Sequence, residues 1–141
     1  MTDVALPDRQ YEELLAFRTA LRRFLRWSDS QAAAAGLTGQ QHQLLLAIRG
    51  NPGSGAPSIG DVADQLLLRH HSAVELVDRA TDAGLVRRIA DADDRRVVRL
   101  ALTEKGQQVL ARLSAAHVEE LARLAPIVQR LATGLDVRAQ V

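Results

Sequence analysis

The sequence contains no cysteine among its 141 residues, and aromatic side chains make up only 3% of it. Without cysteine, the chain forms no disulfide framework and no zinc ribbon, and it has no thiol with which to sense oxidants. It also lacks an apolar run of about 18 residues, the length that spans a membrane. A charged start followed by an apolar stretch, the mark of a secretory signal, is missing too. We therefore expect a cytoplasmic protein with no membrane partner.

Lysine is nearly absent, since Lys105 is the only one. Apart from histidine, all other basic side chains are arginines. Arginine suits bidentate contacts to phosphate and guanine, although an arginine-rich genome gives the same composition. The formal net charge of +1 neither favours nor excludes a nucleic-acid partner. The sequence has no glycine-rich phosphate loop, no GxSxG motif and no cysteine nucleophile, so we expect no enzyme and no cofactor.

The stretch from Ser58 to Gly84 predicts two short helices joined by a tight turn. Ser58 and Asp61 have the spacing of a capping pair at a helix start, and apolar positions then repeat at helical spacing. The turn falls at Leu67–Arg69, and Gly84 ends the second helix, where a left-handed cap is least costly. One face of the second helix stays polar, with His70, His71, Ser72, Glu75, Arg79 and Asp82.

Two strands follow, because β-branched residues and partial alternation mark residues 85–89 and 97–102. The loop between them, Ala90 to Arg96, reads ADADDRR. Aspartates hold such a turn by bonding their own backbone, which leaves Arg95 and Arg96 pointing away from any core, toward phosphate or a minor groove. Two helices and then a hairpin predict a mainly α (α+β) fold, a winged helix-turn-helix with a two-stranded β-wing.

Three motifs in this region occur in a specific order and spacing. They are LVDR (76–79) followed by DAGLVRR (82–88), then DADDRR (91–96), then LTEKG (102–106). Together they resemble the MarR family of bacterial winged helix-turn-helix transcriptional regulators. The resemblance implies a sequence-specific regulator of double-stranded DNA, a repressor released by a small-molecule ligand.

The resemblance also implies how DNA is read. The helix from His70 to Ala83 enters a major groove, and the wing lies over the neighbouring minor groove. One arginine of the pair Arg95 and Arg96 enters that minor groove while an aspartate beside it restrains the wing; the sequence does not tell which arginine. The predicted DNA-binding residues are Arg69, His70, His71, Ser72, Glu75, Arg79, Arg95 and Arg96.

Some of these residues have alternative roles. Glu75 either accepts a hydrogen bond from cytosine N4 or repels phosphate. His70 and His71 either donate to guanine or phosphate or are solvent-exposed turn residues without a role. Arg79 either binds phosphate or pairs with Asp78 or Asp82.

The two ends of the chain predict helices with apolar stripes that have no obvious partner within a winged helix. Pro7 can start the first, which carries Leu14, Phe17, Leu21, Phe24, Leu25 and Ser28. Thr103 caps a long helix that we expect Pro126 to break or kink, leaving a last segment from Ile127 to Leu135. Burial of the stripes across a two-fold axis predicts a homodimer; the alternative is packing within one chain.

This layout divides one MarR-like domain, residues 1–141, into functional parts. Residues 38–102 form the DNA-binding winged helix-turn-helix, and residues 7–30 and 103–135 form the dimerisation helices. A further helix opens at Thr38, with Gln41 in capping-box position, and a loop from Asn51 to Pro57 follows it. Because a dimer has two DNA-binding winged helix-turn-helix parts, we predict a pseudo-palindromic operator with half-sites about 34 Å apart.

The effector site is the least specific part of the prediction. Family resemblance puts small amphipathic or phenolic ligands where the dimer region meets the DNA-binding part. The candidates are Arg18, Arg22, Trp27, His42 and Leu46. Trp27 could instead be a packing residue, and the two arginines a solvated helix face or half of an interchain salt bridge.

Two other functions stay open. His42 and His117, with Glu119 and Glu120 nearby in sequence, raise a metal-responsive regulator, but no HxxxH or HExxH spacing exists and we predict no metal site. A winged helix can also serve as a protein-interaction module without DNA. That use needs no arginines at the wing tip.

Overall fold

A computed structural model of the chain describes residues 5–53 and 55–139, with side chains as far as residue 134. The described residues form five helices and two strands, in the order α1 (Asp8–Ala34), α2 (Gly39–Arg49), α3 (Ile59–Leu66), α4 (His70–Asp82), β1 (Val86–Ala90), β2 (Val98–Leu102) and α5 (Glu104–Ala139). This confirms the mainly helical fold with a two-stranded wing. The chain divides into a helical unit, Met1–Ser30 with Ala115–Val141, and a winged unit, Gln31–Ser114.

Both predicted capping boxes are present at helix starts in the winged unit. The Thr38 hydroxyl accepts from the backbone N–H of Gln41 at 3.1 Å, and the Gln41 side chain accepts from the Thr38 N–H at 3.0 Å. Ser58 and Asp61 exchange the same pair of bonds, at 3.1 and 2.9 Å, before α3. These bonds satisfy N–H groups that a helix start otherwise leaves unpaired, so they fix where α2 and α3 begin.

The turn between α3 and α4 is held by a residue with a left-handed backbone. Leu67 has φ 55°, a conformation in which residues other than glycine are uncommon. Its side chain is 92% exposed. Gly84, with φ 74°, follows the end of α4, as the sequence predicts.

The wing is an antiparallel pair in which Val86 lies opposite Leu102 and Ala90 opposite Val98. A short third segment joins its edge, since Ser58 bridges to Arg99 and the Leu100 N–H donates to the Pro57 carbonyl at 2.8 Å. The wing edge is thereby attached to the start of α3. The predicted loop from Asn51 to Pro57 leads into this segment, and Ser54 lies outside the described residues.

One apolar core fills the winged unit. The inward faces of α2, α3 and α4 pack with β1, β2 and the first turns of α5, because each element places its apolar residues on one side. The largest fully buried side chains are Leu44, Leu45, Leu85, Leu100, Val62, Val77 and Val86. This core holds α4 with its polar face outward.

The start of α5 is fastened to the end of α4 and the beginning of β1. The Lys105 ammonium donates to the Ala83 carbonyl at 3.0 Å, and the Thr103 N–H donates to the Leu85 carbonyl at 3.1 Å. Gly106 passes so close that a Cβ there would lie 2.1 Å from the Leu85 carbonyl oxygen. Only glycine fits this approach without a backbone shift.

Within the helical unit, side chains of α1 and α5 contact each other at several separate places. The Ser28 hydroxyl lies 2.7 Å from His117 Nε2. Phe24 contacts the same imidazole edge-to-face and Trp27 contacts it at a tilt, with ring centroids 5.8 and 4.7 Å away. At the far end, Gly134 of α5 lies beside Glu13 of α1. The terminal stripes thus pack partly against each other within one chain, the alternative that the sequence left open.

Helix α5 continues through Pro126, so the predicted break into two segments is wrong. Proline removes one helical hydrogen bond and crowds the preceding turn, but packing overrides this local preference. Leu124, Ile127 and Val128 line a small apolar cavity together with Phe17 and Leu21 of α1. Leu135 lies outside the residues whose side chains are described.

Several apolar side chains of the helical unit nevertheless stay exposed, among them Tyr11, Leu14, Leu15, Leu25, Val118, Leu121 and Val128. None of the helices formed by the described residues combines the length and apolar character needed to cross a membrane.

Candidate nucleic-acid interface

Helix α4 presents a polar face to solvent because its apolar residues are buried in the core. Ala73, Leu76, Val77 and Ala80 point inward. The α4 face consists of the predicted DNA-binding residues of this region, namely Arg69, His70, His71, Ser72, Glu75 and Arg79. All of them are exposed except Ser72, which is half-buried. His71, Glu75 and Arg79 recur every four residues and so lie along one line.

The N-terminus of α4 is open to an anion. Arg69 is the N-cap, with an extended backbone, and its side chain makes no capping hydrogen bond. The first N–H groups of the helix therefore keep no side-chain partner from the cap, and they lie at the positive end of the helix dipole. Such a helix end binds phosphate readily.

The side chains of the α4 face are not engaged elsewhere in the described part of the chain. Among those residues, none of the six forms an ion pair or a side-chain hydrogen bond. Asp78 pairs with Arg88 of β1, so the alternative pairing of Arg79 with Asp78 does not form. Arg79 and Glu75 are available to a partner.

The wing loop, residues 91–97, is organised by its own aspartates, as the sequence predicts. Asp91 Oδ2 accepts from the N–H groups of Asp93 and Asp94 at 3.2 and 2.9 Å. Asp94 Oδ1 accepts from the Arg96 N–H at 3.0 Å. These bonds replace water on the loop backbone and set the direction in which its arginines leave.

The two wing-tip arginines differ in their surroundings. Arg96 binds Asp94 through Nε and Nη2, at 3.2 and 3.3 Å, while the Arg96 side chain stays 91% exposed. Arg95 is exposed, and its side chain forms no hydrogen bond or ion pair with any described residue. Of the two arginines, Arg96 is the one whose guanidinium is bound by an aspartate, Asp94.

Hydrogen bonds hold three carboxylates of this region in their charged form. The pKa of Asp91 is lowered first by the Asp94 N–H and then by the Arg99 guanidinium. The Arg96 side chain lowers the pKa of Asp94, and the Ser58 N–H lowers that of Asp61. A hydrogen bond donated to a carboxylate stabilises its ionised form and so lowers its pKa.

A third arginine of the wing, Arg99, was not among the predicted site residues. It lies in β2, donates to Asp91 at 3.2 Å and to the Ala56 carbonyl at 3.3 Å, and lies 3.8 Å from Asp61. The signal that could have singled it out is a charged residue inside the apolar strand VVRLAL. Its partners are distant in sequence, so the pattern alone does not identify them.

The candidate effector residues fall in both units. Arg18 and Arg22 are exposed on α1, one turn apart, and Trp27 packs with Phe24 and His117 in the same helical unit. In the winged unit, Leu46 is half-exposed, while His42 is buried on the inner side of α2. No group of three or more histidine, aspartate or glutamate side chains in the described ranges is arranged to hold a metal ion.

An exposed, uncapped recognition helix followed by a braced, arginine-tipped hairpin defines a winged helix-turn-helix protein. Comparison with known proteins agrees. A model of the MarR family matches residues 35–97. The HTH-type transcriptional regulator PecS of Dickeya dadantii strain 3937 is 28% identical over 116 residues, which cover 80% of this chain and 70% of PecS.

Solved structures are similar to this chain in fold. A mutant of S. aureus MepR bound to an oligodeoxyribonucleotide superposes with a TM-score of 0.66 at 18% identity, covering 89% of this chain and 94% of MepR. CouR from Rhodococcus jostii RHA1, bound to p-coumaroyl-CoA, gives a TM-score of 0.68 at 22% identity, with 88% and 89% covered. The winged region of this chain, residues 35–97, is therefore similar to the MarR family of transcriptional regulators.

Proposed function

We propose that the chain is a sequence-specific regulator that binds double-stranded DNA as a homodimer and represses transcription until a small ligand releases it. The observation that carries this proposal is the α4 face, whose polar and charged side chains have no partner among the described residues. A DNA groove and its phosphates supply binding partners for this face, for the uncapped start of α4 and for the arginine-tipped wing. The function is binding, without a reaction or a cofactor, and it takes place in the cytoplasm.

In this proposal α4 lies in a major groove. Arg69 and the free N–H groups at the start of α4 hold a phosphate, and Arg79 holds a second one. His71 and Glu75, in line on the exposed side, face base edges, where Glu75 accepts from cytosine N4. His70 and Ser72 donate to phosphate or guanine at the entry of the groove.

The wing supplies the minor-groove contact, and we assign that role to Arg96. Its two bonds to Asp94 leave the side chain exposed but restrict its direction. A restrained guanidinium loses less conformational freedom when it enters a narrow groove. Arg95, which has no such brace, then contacts the phosphate backbone.

The dimer follows from the apolar side chains that α1 and α5 leave exposed, such as Leu15, Leu25 and Val118. Burial of these residues against a second copy gives an isologous interface, and residues 7–30 and 103–135 form it. Residues 38–102 form the DNA-binding part of each subunit. Two such parts read a pseudo-palindrome with half-sites about 34 Å apart.

The effector is a small amphipathic or phenolic molecule that carries negative charge. CouR binds p-coumaroyl-CoA, which combines a phenol with anionic groups. Arg18 and Arg22 have the charge to receive a carboxylate or phenolate, and Trp27 offers an aromatic surface. His42 and Leu46 are the candidates contributed by the winged unit.

Fluorescence anisotropy tests the proposal. The purified protein is titrated into a labelled duplex from its own upstream region and into a scrambled duplex of equal length, at physiological salt. Tight binding to the first duplex alone supports a sequence-specific regulator that controls its own gene. Equal, weak binding to both points to a distant operator, which a random-sequence selection would recover, and failure of that selection would leave a protein-binding winged helix.

A further inference from the structure

Arg99 joins three segments of the winged unit that are far apart in sequence. Its Nε donates to Asp91 at the base of the wing loop, and its Nη1 donates to the Ala56 carbonyl in the loop before α3. The same Nη1 lies 3.8 Å from Asp61, a member of the capping box of α3. The side chain is 35% exposed, so it is mostly covered by these partners.

The surroundings of Arg99 are those of a structural cation, in contrast to a DNA-contacting one. Two carboxylates, those of Asp61 and Asp91, balance its charge, and a carbonyl occupies a further N–H. A phosphate that approached Arg99 would have to displace or repel these carboxylates. Arg95 and Arg96, by comparison, extend from the loop into solvent.

Bonds lead from Arg99 to the wing tip. Asp91, which Arg99 holds through Oδ1, uses Oδ2 to bind the N–H groups of Asp93 and Asp94. Asp94 in turn binds the backbone and guanidinium of Arg96. Each of these contacts fixes the next, so the position of Asp91 sets the direction in which Arg96 leaves the loop.

We propose that Arg99 is a positioning residue for DNA recognition: it ties the wing loop to the start of α3 and so directs Arg96 without contacting DNA itself. The proposal rests on the proposed function, because it assigns how the minor-groove contact is oriented. It makes the wing and the helix-turn-helix one rigid reading surface. Removal of Arg99 lowers affinity only through the wing that it orients.

A double-mutant cycle in operator binding tests this role. Arg99→Ala in the native chain lowers affinity on the order of tenfold, in the range of coupled neighbours. In a chain that already carries Arg96→Ala, the same change lowers affinity by less than about twofold. Arg87→Ala, which removes an exposed arginine of β1 without an ion pair among the described residues, serves as control and does not couple to Arg96.

Salt dependence separates positioning from direct contact. If Arg99 itself held a phosphate, Arg99→Ala in the Arg96→Ala chain would reduce the slope of log affinity against log salt by about one unit. The proposal expects no change in that background. Additive losses, or a lower slope there, overturn it while leaving the proposed function intact.

A measurement without DNA tests the structural half of the proposal. In Arg99→Ala, amide hydrogen exchange of Asp94, whose N–H binds Asp91, is expected to be about tenfold faster, while α2 amides stay protected. Unchanged exchange in the wing loop overturns the proposal. Failure of the wild type to bind any duplex would refute the proposed function instead, and the exchange measurement does not depend on that result. If Arg99→Ala fails to fold, Asp91→Asn replaces it, because Asn keeps an acceptor oxygen for the loop N–H groups but loses the charge that Arg99 binds.

Discussion

Asp94 accepts three hydrogen bonds from Arg96, one from its backbone N–H at 3.0 Å and two from its guanidinium at 3.2 and 3.3 Å. Arg95, its neighbour at the same wing tip, has no such bond among the described residues. Two adjacent arginines with the same charge therefore differ in how tightly they are held. A pair of single substitutions can separate the two roles that we assign to them.

We expect Arg96→Ala to lower operator affinity by about 1–3 kcal/mol and to weaken the preference for an A·T-rich wing site. Arg95→Ala should weaken binding to all duplexes alike and reduce the salt slope by about one unit. The double variant should flatten the slope by about one or two units. Anisotropy titrations at several salt concentrations, on operators with A·T or G·C base pairs under the wing, give both quantities.

The assignment of the braced arginine fails if Arg95→Ala, and not Arg96→Ala, removes the A·T preference. Removal of both side chains without any change in salt slope would exclude the wing from DNA binding altogether. That second result would favour a winged helix that binds protein.

We predict that the wing loop loses its order in acid. The folded state lowers the pKa of Asp91, chiefly through the Asp94 N–H, and that of Asp94, chiefly through Arg96, below the ordinary value of 3.8. A lowered folded-state pKa stabilises the native state fully above the unfolded-state pKa, and this contribution is lost as pH falls through the folded-state value. The effect should be constant from about pH 5 to 8, begin to decline near pH 4, and be lost only as the pH falls through the folded-state pKa values, which lie below 3.8.

Urea unfolding of the wild type and of Asp91→Asn at pH 7, 5, 4 and 3 measures it, at one protein concentration throughout. The wild type should be the more stable protein at pH 7 and 5, and its advantage should shrink as the pH falls from 4 to 3. A difference that persists unchanged at pH 3 would show that the charge of Asp91 contributes nothing.

We expect Gly106→Ala to destabilise the protein by about 3 kcal/mol, the upper part of the range for overpacking. The added methyl would lie 2.1 Å from the backbone oxygen of Leu85, and backbone atoms cannot move aside as a flexible side chain can. Gly60→Ala is the matched control, since its Cβ meets only the Ser58 hydroxyl, at 3.6 Å. Because alanine favours helix, that variant should gain up to about 1 kcal/mol.

Urea midpoints of both glycine variants check this prediction. Equal losses in the two would mean that helix flexibility, and not the approach of α5 to Leu85, explains the glycine. The contact matters for function because it holds the end of α4.

The features that the sequence predicts correctly are those determined by residues close together along the chain. The capping boxes of Thr38 with Gln41 and of Ser58 with Asp61 were predicted and are confirmed, since both bonds of each box span three residues. Gly84 is likewise a local cap. The loop bonds of Asp91 and Asp94 follow from short-range geometry as well.

Features set by packing could not be predicted in this way. Pro126 was expected to break or kink α5, but the helix continues, because its neighbours pack against α1. The partners of Arg99 lie 8 and 43 residues away along the chain. Whether Arg95 or Arg96 is braced depends on side-chain direction within one turn, which composition does not encode. The roles of the α4 face in DNA contact stay predictions.

We predict a dimer in solution, because apolar side chains of the helical unit are exposed. Leu15 is 64% exposed and Val118 71% exposed, and burial against a second copy removes both from water. Leu15→Asp with Val118→Asp should shift the mass in analytical ultracentrifugation from twice 15.4 kDa to the monomer value. Leu67→Asp, which changes a 92% exposed leucine of the winged unit, should leave the dimer intact.

A monomeric wild type would remove the two-fold operator from the proposal. A helical-unit variant that stays dimeric while Leu67→Asp dissociates would move the interface to the winged unit.

The single tryptophan can report effector binding. We expect a phenolic carboxylate such as 4-hydroxybenzoate to change Trp27 emission, and Arg22→Gln or Arg18→Gln to weaken its binding by about 1.5–3 kcal/mol, as for a lost charged hydrogen bond. Arg23→Gln is the control on the same helix. Equal effects of all three substitutions would indicate general attraction of anions, and no change in emission at any concentration would exclude Trp27 from the site.

The ammonium of Lys105, bound to the Ala83 carbonyl at the end of α4, is the only lysine side chain in the sequence. A lysine-specific protease therefore has one place to cut, at the junction where α5 meets the recognition helix. Cleavage requires local unfolding at this junction, so the rate of a single proteolytic cut measures how often the start of α5 unfolds beside the end of the recognition helix. The chain thus carries its own probe of local unfolding at the DNA-binding surface, and operator DNA should slow that cut in proportion to the stability it adds.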